Sequence, residues 1–291
     1  MTMTESSLSS AIAKSALEFW DANAPVWDDV MREDGNDYWT VLEMPALQRM
    51  AEVKPGDSAL DLATGNGLVA RWLVENGAST VSATDGSSAM LQYAIKRTSD
   101  WATARGPQHE DSITFKTLNV VDRDQVNLFV QEVSEYKPAG FDVITMNMAI
   151  MDIPDLVPLA HLISVVLKAH SGRFIATILH PLFFTSGASR HIEASEDSEG
   201  NRVIDRSIVV RQYLDVPPRK IAPITSDQPA RQIAFHRPMH QLLAPFFAAG
   251  LVMDRLEEPN FDESFIDKVK PYASKNYSQL PKILAFRLRR I

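Results

Sequence analysis

The chain contains no cysteine, so disulfide bonds, a cysteine nucleophile and thiolate zinc sites are excluded. It also contains no apolar run of about 20 residues, the length that a membrane-spanning helix requires. The polar stretch from Met1 to Ser10 lacks the apolar core of a signal peptide. We therefore expect no membrane partner, and the cytoplasm is the predicted location.

Clustered positive charge is missing as well. The formal net charge is -8 over 291 residues, and Lys and Arg form no basic run. Binding to a nucleic-acid backbone requires clustered Lys and Arg that neutralise phosphates, so we do not expect a nucleic-acid partner. With 45% hydrophobic residues, a chain of this length can bury a sizeable core within one elaborated domain.

The most informative segment runs from residue 59 to 71 and reads A-L-D-L-A-T-G-N-G-L-V-A-R. Its apolar start predicts a strand, and the apolar spacing after the glycines predicts a helix. Gly65 and Gly67 allow the backbone to turn sharply and to approach a ligand, while the start of the helix offers unpaired N–H groups. We therefore expect a nucleotide-like cofactor at this turn.

A second acidic residue strengthens this expectation. Asp85, followed by Gly86, ends the strand-like segment 80–84, eighteen residues beyond Gly67. A carboxylate at the tip of the second strand of such a unit accepts hydrogen bonds from ribose hydroxyls. Asp85 is therefore predicted to bind the sugar of the cofactor.

Two kinds of nucleotide cofactor fit this pattern. Residues 65–70 satisfy the dinucleotide motif G-x-G-x-x-G/A, so an NAD(P)-dependent oxidoreductase is one alternative. Asp61, inside the first strand, favours a different ligand, because its carboxylate would repel a pyrophosphate and attract a cation. The segment resembles motif I of the class I S-adenosylmethionine-dependent methyltransferases. A relative that binds this cofactor without transferring a methyl group is a further alternative.

The resemblance implies an α/β fold: a Rossmann-like, doubly wound sheet of seven strands whose last strand is antiparallel. Residues 1–50 are expected to form an N-terminal helical cover. Residues 51–181 and 233–291 would form the methyltransferase core, and residues 182–232 a lid insertion in the same elaborated domain.

The order of apolar segments predicts the individual elements. We expect helices at 87–97, 156–169 and 238–249, and strands at 113–121, 173–179, 251–256 and 283–289. Within the insertion, residues 186–201 are polar and predicted to be mobile. Strands at 208–210 and 231–235 are predicted to pair as a lid hairpin.

The same resemblance implies S-adenosyl-L-methionine as the cofactor. Asn119 stands where the family often has Asp, and its side-chain carbonyl can accept from an adenine amino group as a carboxylate would. The predicted cofactor-binding residues are Asp61, Ala63, Thr64, Gly65, Asn66, Gly67, Asp85, Gly86, Met90, Asn119, Val120, Asn147 and Met148.

The methyl acceptor is predicted to be a small organic molecule, methylated at oxygen. The segments Leu179–Pro181 and Phe235–Pro238 look like a small-molecule branch of the family. The helical cover is expected to close over the acceptor and to exclude water, with Trp20 and Trp27 flanking a predicted break at residues 21–25. The predicted acceptor-binding residues are Trp20, Trp27, Met151, Tyr213 and His240.

An oxygen acceptor usually loses a proton during transfer, and an imidazole with a pKa of about 6.5 can accept that proton near neutral pH. His180 directly follows the carboxyl end of a predicted strand, and His236 precedes the last predicted helix. Both are predicted to be catalytic, either one serving as the base. Asp152 and Asp155 lie in the loop where a metal could bind, but they serve equally well as helix caps, so no metal is predicted. A homodimer is left open.

Overall fold

The centre of the molecule is a sheet of seven strands. A computed structural model describes residues 5–106, 109, 111–221, 225–226 and 228–291, with side chains from residue 16. The strand order is β10-β11-β5-β4-β1-β2-β3. The strands are β1 (Ser58–Leu62), β2 (Thr80–Asp85), β3 (Ile113–Thr117), β4 (Val143–Asn147), β5 (Arg173–Leu179), β10 (Leu251–Glu257) and β11 (Ile283–Arg290).

Five successive strands of the sheet, β3, β2, β1, β4 and β5, pair in parallel with their neighbours. Strand β11 pairs antiparallel with both β5 and β10. This arrangement confirms the predicted seven-stranded fold with an antiparallel last strand. The order reverses between β1 and β4, so the carboxyl ends of these strands face one crevice. Open α/β sheets bind their ligands at such a switch point.

Helices cover both faces of the sheet, which is why β1 is buried along its whole length. On one face, α5–α7 pack around the rings of Phe174, Phe246 and Phe286. On the other face, α2, α3 and α4 enclose Leu47, Trp72 and their neighbours. The helices are α1 (Glu5–Met31), α2 (Met44–Ala51), α3 (Leu68–Glu75), α4 (Ser88–Arg105), α5 (Arg123–Tyr136), α6 (Val157–Val166) and α7 (Met239–Ala248).

Several predicted elements differ in length from the observed ones. Helix α4 extends to Arg105 because Thr98, Trp101 and Ala102 continue its buried face. Strand β3 ends at Thr117, since the side chain of Asn119 then accepts from the Val121 N–H and turns the chain. Strand β5 has the predicted bounds, and β10, α7 and β11 agree with prediction to within one residue at each end.

The predicted break at residues 21–25 does not exist, because α1 runs through Pro25. Pro25 is exposed, so the carbonyl that loses its helical partner there can face water. The side chains of Asp21 and Asn23 bond to Ser87 and Ala230 instead of ending the helix. Residues 1–4 of the predicted cover lie outside the described part of the chain.

The predicted pairing within the insertion is also wrong. Strand β6 (Ser189–Glu196) pairs with β7 (Arg202–Val209), and β8 (Arg219–Lys220) pairs with β9 (Ile233–Ala234). The polar stretch forms a hairpin because Asp197 accepts from the N–H groups of Glu199 and Asn201, and because Gly200 adopts a φ of 81°. Residues 222–224 and 227 of the predicted lid lie outside the described part.

In the described part of the chain, no helix has both the length and the apolar character needed to cross a bilayer.

A buried arginine joins the sheet to α2, and its removal should destabilise the fold. Arg173 donates to the carbonyls of Ala51 and Glu52 and to the carboxylate of Asp57, at 2.6–2.9 Å. We expect Arg173→Met to lower the free energy of unfolding by about 3 kcal/mol, because it removes the cation that faces a largely buried carboxylate and the donor to two backbone carbonyls. Urea unfolding measures this loss.

Lys96→Met is the matched control, because Lys96 pairs with Asp100 on the exposed surface of α4. Such a pair contributes about 0.5 kcal/mol or less. Equal losses in the two variants would contradict a structural role for Arg173.

Candidate active site

Two residues at the switch point have left-handed backbones although neither is glycine. Ala63 follows β1 with a φ of 53°, and Met148 follows β4 with a φ of 52°. The Met148 N–H donates to the Thr177 carbonyl at 2.9 Å, which holds this turn against β5. Strained backbone of this kind costs about 1 kcal/mol or more and is concentrated at functional sites.

The glycine loop lies between β1 and α3. Gly65 has a φ of 58°, and Gly67, the N-cap of α3, has a φ of 80°. A Cβ on Gly67 would lie 3.0 Å from Nη1 of Arg71, so a side chain there would crowd the buried arginine. The Asn66 side chain donates to Asp28 and to the carbonyl of Arg32, which ties the loop to the N-terminal segment.

Two carboxyl groups, one buried and one half-buried, hold the loop in place. Asp61, 1% exposed, accepts from the hydroxyls of Thr64 at 2.6 Å and Thr145 at 2.7 Å. Asp85 accepts from the N–H groups of Gly65 at 2.9 Å and Ser87 at 2.8 Å. Burial raises the pKa of Asp61 to about 7 and that of Asp85 to about 6, although these hydrogen bonds act in the opposite direction.

Two adjoining cavities open at this edge. The smaller, of about 120 Å³, lies beside β2 and β3 and is called the adenosine cavity below. The larger, of about 250 Å³, lies beneath α1 and the segment 36–43 that follows it and is called the acceptor cavity. Residues that line both are Trp20, Trp27, Ala63, Gly65, Asn147, Met148 and Asp152.

The adenosine cavity suits a nucleoside. Met90, Leu118 and Val120 give it an apolar lining, and Asp85 lies at its wall. Each oxygen of Asp85 accepts one backbone N–H and retains a lone pair that a ribose hydroxyl can use. Asn119 also lines this cavity, although its carbonyl already accepts from Val121.

The predicted cofactor residues converge in the structure. All of them line at least one cavity except Gly67, which begins α3 beneath the loop. Of the predicted acceptor residues, Trp20, Trp27 and Met151 line the acceptor cavity. Trp20 and Trp27 lie two helical turns apart on one face of α1, with ring centroids 5.5 Å apart at a steep angle.

The other two predicted acceptor residues lie elsewhere. The hydroxyl of Tyr213 accepts from the Met239 N–H at 2.9 Å and so fastens the insertion to α7. His240, on α7, is exposed to solvent. Neither residue is among those that line the two cavities.

The two predicted catalytic histidines also lie away from the described linings of both cavities. Nε2 of His180 is 2.8 Å from the carboxylate of Glu258, and its ring packs on Phe183. His236 has both ring nitrogens engaged, with the Thr185 hydroxyl at 2.8 Å and the Tyr213 carbonyl at 2.7 Å. Burial lowers the pKa of both imidazoles. These contacts give each ring a role in joining chain segments.

Two acidic residues of the acceptor cavity were not predicted as site residues. Asp152 ends a single 3-10 turn after β4, and no hydrogen bond to its carboxylate is present within the described residues. Glu43, 3% exposed, ends a π-helical turn (Trp39–Glu43) and accepts from Nδ2 of Asn147 at 2.7 Å. Burial raises the pKa of Asp152 to about 8 and that of Glu43 to about 7.

Only one of these two acidic residues could have been identified from the sequence. Asp152 lies in the loop after a strand that ends at the ligand edge, a position that the sequence indicates, as it did for Asp85 at the end of β2. Glu43 offers no such signal, because it precedes the first strand and reaches the site through tertiary packing. The described residues contain no cluster of three or more His, Cys, Asp or Glu side chains that could hold a metal ion.

Comparison with known proteins agrees with this geometry. Residues 60–176 match a family model described as a methyltransferase domain. No curated protein matched the chain. An S-adenosylmethionine-dependent methyltransferase from Mesorhizobium loti superposes with a TM-score of 0.60 at 24% identity, covering 88% of this chain and 99% of that one.

Two further solved structures share the fold. The complex of the Haloferax volcanii Trm112 methyltransferase activator with a methyltransferase has a TM-score of 0.53 at 18% identity, covering 93% of this chain and 96% of that one. The glycopeptide N-methyltransferase MtfA complexed with S-adenosylmethionine has a TM-score of 0.50 at 12% identity, covering 85% of this chain and 93% of that one. Residues 60–176 are thus similar to a methyltransferase domain, and the solved structures share the predicted class I fold.

Gly65→Ala should weaken cofactor binding. The added Cβ would lie 3.6 Å from Nε1 of Trp27, where both residues line the two cavities. We expect at least a ~10-fold loss of affinity for S-adenosylmethionine, about 1.4 kcal/mol, in titration calorimetry.

Gly200→Ala is the matched control. Gly200 also has a left-handed backbone, with a φ of 81°, but a Cβ there meets no atom within 4 Å. Both substitutions impose similar backbone strain of roughly 1–2 kcal/mol. Equal affinity in the two variants would argue against close approach of the cofactor to Gly65.

The buried carboxyl groups should make the cofactor-free protein less stable as the pH rises. Carboxyls ionise near pH 4 in the unfolded chain, whereas Glu43, Asp61, Asp85 and Asp152 have folded-state pKa values of about 6 to 8. The native state therefore binds more protons in this range, and its stability falls as the pH passes through 6 to 8.

Thermal unfolding of the cofactor-free protein at pH values from about 5.5 to about 9 measures the slope of stability against pH. Asp152→Asn should make the slope shallower from about pH 5.5 up to about pH 8, because the amide does not titrate. Asp100→Asn, at an exposed position on α4, should leave it unchanged. A wild-type slope of zero would contradict the buried, protonated state of these groups.

Proposed function

We propose that this S-adenosylmethionine-dependent methyltransferase methylates a small organic molecule at a hydroxyl oxygen, with Asp152 as the base. The observation that supports this most is the position of Asp152, a carboxyl group without a hydrogen-bond partner within the described residues, at the junction of the two cavities. A base at that position can reach an acceptor atom that faces the cofactor.

The donor side is built from the predicted residues. Asp85 and the apolar lining of the adenosine cavity would hold the nucleoside, while Asp61, Ala63 and Gly65 border the space that leads into the acceptor cavity. When bound there, S-adenosylmethionine supplies a methyl group on a positively charged sulfur. The four acidic groups of the two cavities favour a cation electrostatically.

Asp152 suits proton removal better than the two predicted histidines. Its raised pKa of about 8 gives its carboxylate more basicity than an ordinary Asp, so it can accept a hydroxyl proton as the oxygen lone pair attacks. The proton ends on the Asp152 carboxyl and is later released to water. His180 and His236 would have to leave their present partners to reach either cavity.

The size and cover of the acceptor cavity support a small substrate. Trp20, Trp27 and Met31 from α1 close one side, while Ile221 and Gln232 of the insertion contribute to another. Asn23 on α1 exchanges two hydrogen bonds with the backbone of Ala230, at 3.0 and 3.1 Å, so the cover and the insertion meet. Closure of this kind excludes water and orients the acceptor.

Asp152→Asn should lower kcat by roughly 100-fold, the scale of one general-base contribution. S-adenosylhomocysteine affinity should change little, because the shape of the wall is kept. In the wild type, kcat/KM for S-adenosylmethionine should rise as the pH passes through 8, because this parameter reports the free enzyme and the ionised carboxyl is the base. Transfer of labelled methyl groups to a panel of phenols, alcohols and amines measures both effects.

His180→Gln is the informative comparison, and turnover within about threefold of the wild type is expected. A large loss in His180→Gln with little loss in Asp152→Asn would return the base assignment to the histidine. Label found only on amines would contradict oxygen as the acceptor atom. Tight cofactor binding without any label transfer would favour the cofactor-binding relative that does not methylate.

A further inference from the structure

The acceptor cavity combines acidic and aromatic side chains without a basic one. Glu43, Asp61 and Asp152 line it together with Trp27 and Tyr38. No Lys, Arg or His is found among the described residues that line either cavity. An anionic acceptor would meet only like charge there. A cation would meet carboxylates and the faces or edges of aromatic rings.

Glu43 is the acidic group best placed to receive such a cation. Its Oε2 accepts from Nδ2 of Asn147, and Oδ1 of Asn147 in turn accepts from the Thr177 hydroxyl, which fixes the orientation of the amide. Oε1 of Glu43 has no hydrogen-bond partner within the described residues, although the side chain is 3% exposed and lines the cavity. Because Glu43 lines the cavity, a ligand held there can donate a hydrogen bond to Oε1.

The donor of the methyl group already has its own acidic residues. Asp61 and Asp85 belong to the first two strands and contact the glycine loop directly or through Thr64. Glu43 and Tyr38 come from the segment before residue 60, outside the part of the chain that matches the methyltransferase domain. Glu43 and Tyr38 line the acceptor cavity and are not among the described residues that line the adenosine cavity.

We infer that the acceptor carries an ammonium group, which Glu43 binds, in addition to the hydroxyl that is methylated. This inference rests on the proposed function and names its substrate class: small hydroxylated amines with an apolar body. The bound ammonium keeps its proton, so its nitrogen has no lone pair for methylation and the hydroxyl remains the acceptor. Tyr38 and Trp27 add ring surfaces that favour a cation over a neutral group.

Three phenols of similar shape test this inference: tyramine, para-ethylphenol and para-hydroxyphenylacetate, whose side chains are cationic, neutral and anionic. Their affinities for the protein saturated with S-adenosylhomocysteine can be measured by calorimetry near neutral pH. We expect tyramine to bind at least ~10-fold more tightly than para-ethylphenol, and para-hydroxyphenylacetate to bind most weakly.

Glu43→Gln should remove the preference for tyramine and leave the affinities for para-ethylphenol and S-adenosylhomocysteine within about twofold. The glutamine keeps the shape of the side chain and can still accept from Asn147. Glu257→Gln, on β10 and paired with Arg49, removes the same charge outside the cavities and should change none of these affinities.

Three results would overturn the inference. Tyramine could bind no better than para-ethylphenol, including the case in which neither binds. Glu43→Gln could preserve the preference for tyramine. Glu43→Gln could also weaken the binding of S-adenosylhomocysteine alone, which would assign Glu43 to the cofactor site. In each case, methyl transfer to a neutral phenol or alcohol would leave the proposed function standing, so the two failures are distinguishable.

Discussion

The hydrogen bonds of Asp61 hold the centre of the molecule together. Its two oxygens accept from Thr64 in the glycine loop and from Thr145 in β4, so one buried carboxyl group joins three segments at the switch point. Because the group is fully enclosed, each of these bonds acts in a medium where losing it would be costly. The left-handed turn at Ala63 and the approach of Gly65 to Asp85 both depend on this arrangement.

The desolvation of four carboxyl groups in the cavity walls has a consequence for binding. Away from water and without a positively charged partner, a carboxyl group favours its neutral form. Desolvation therefore raises the pKa values of Glu43, Asp61, Asp85 and Asp152. A positively charged ligand restores the ionised form of nearby carboxyls and gains attraction in return. A diphosphate would instead keep them neutral. The electrostatic preference for a positively charged ligand, first inferred from Asp61 alone, therefore applies to both cavities.

The sequence predicted those parts of the site that are local in the chain. Asp61, Gly65, Gly67 and Asp85 lie in strand–turn segments whose geometry follows from a few consecutive residues, and they are where the pattern placed them. The number of strands and the antiparallel last strand followed from the family resemblance. His180 also lies at the expected strand end, but Glu258, 78 positions further along, holds its side chain. Position at a strand end was predictable; the direction of the side chain was not.

The errors in the outer segments have a related cause. Residues 189–196 and 202–209 alternate weakly and are largely exposed, so no buried face set their register, and the turn chemistry at Asp197 and Gly200 decided the pairing instead. In α1, a proline would ordinarily end a helix. Here Pro25 lies on the exposed face of α1, while the opposite face makes the tertiary contacts that stabilise the helix.

Those contacts connect the acceptor cavity to the cofactor loop. On α1, Asp21 bonds to Ser87 at the start of α4, and Asp28 bonds to Asn66 in the glycine loop and to Arg97. The face of α1 that carries Trp20 and Trp27 closes both cavities at once. A ligand in either cavity therefore packs against the same helix, and the position of that helix affects both binding sites. Under the proposed function, residues before 60 would contribute to acceptor selectivity from outside the matched domain, through the helix that closes both cavities.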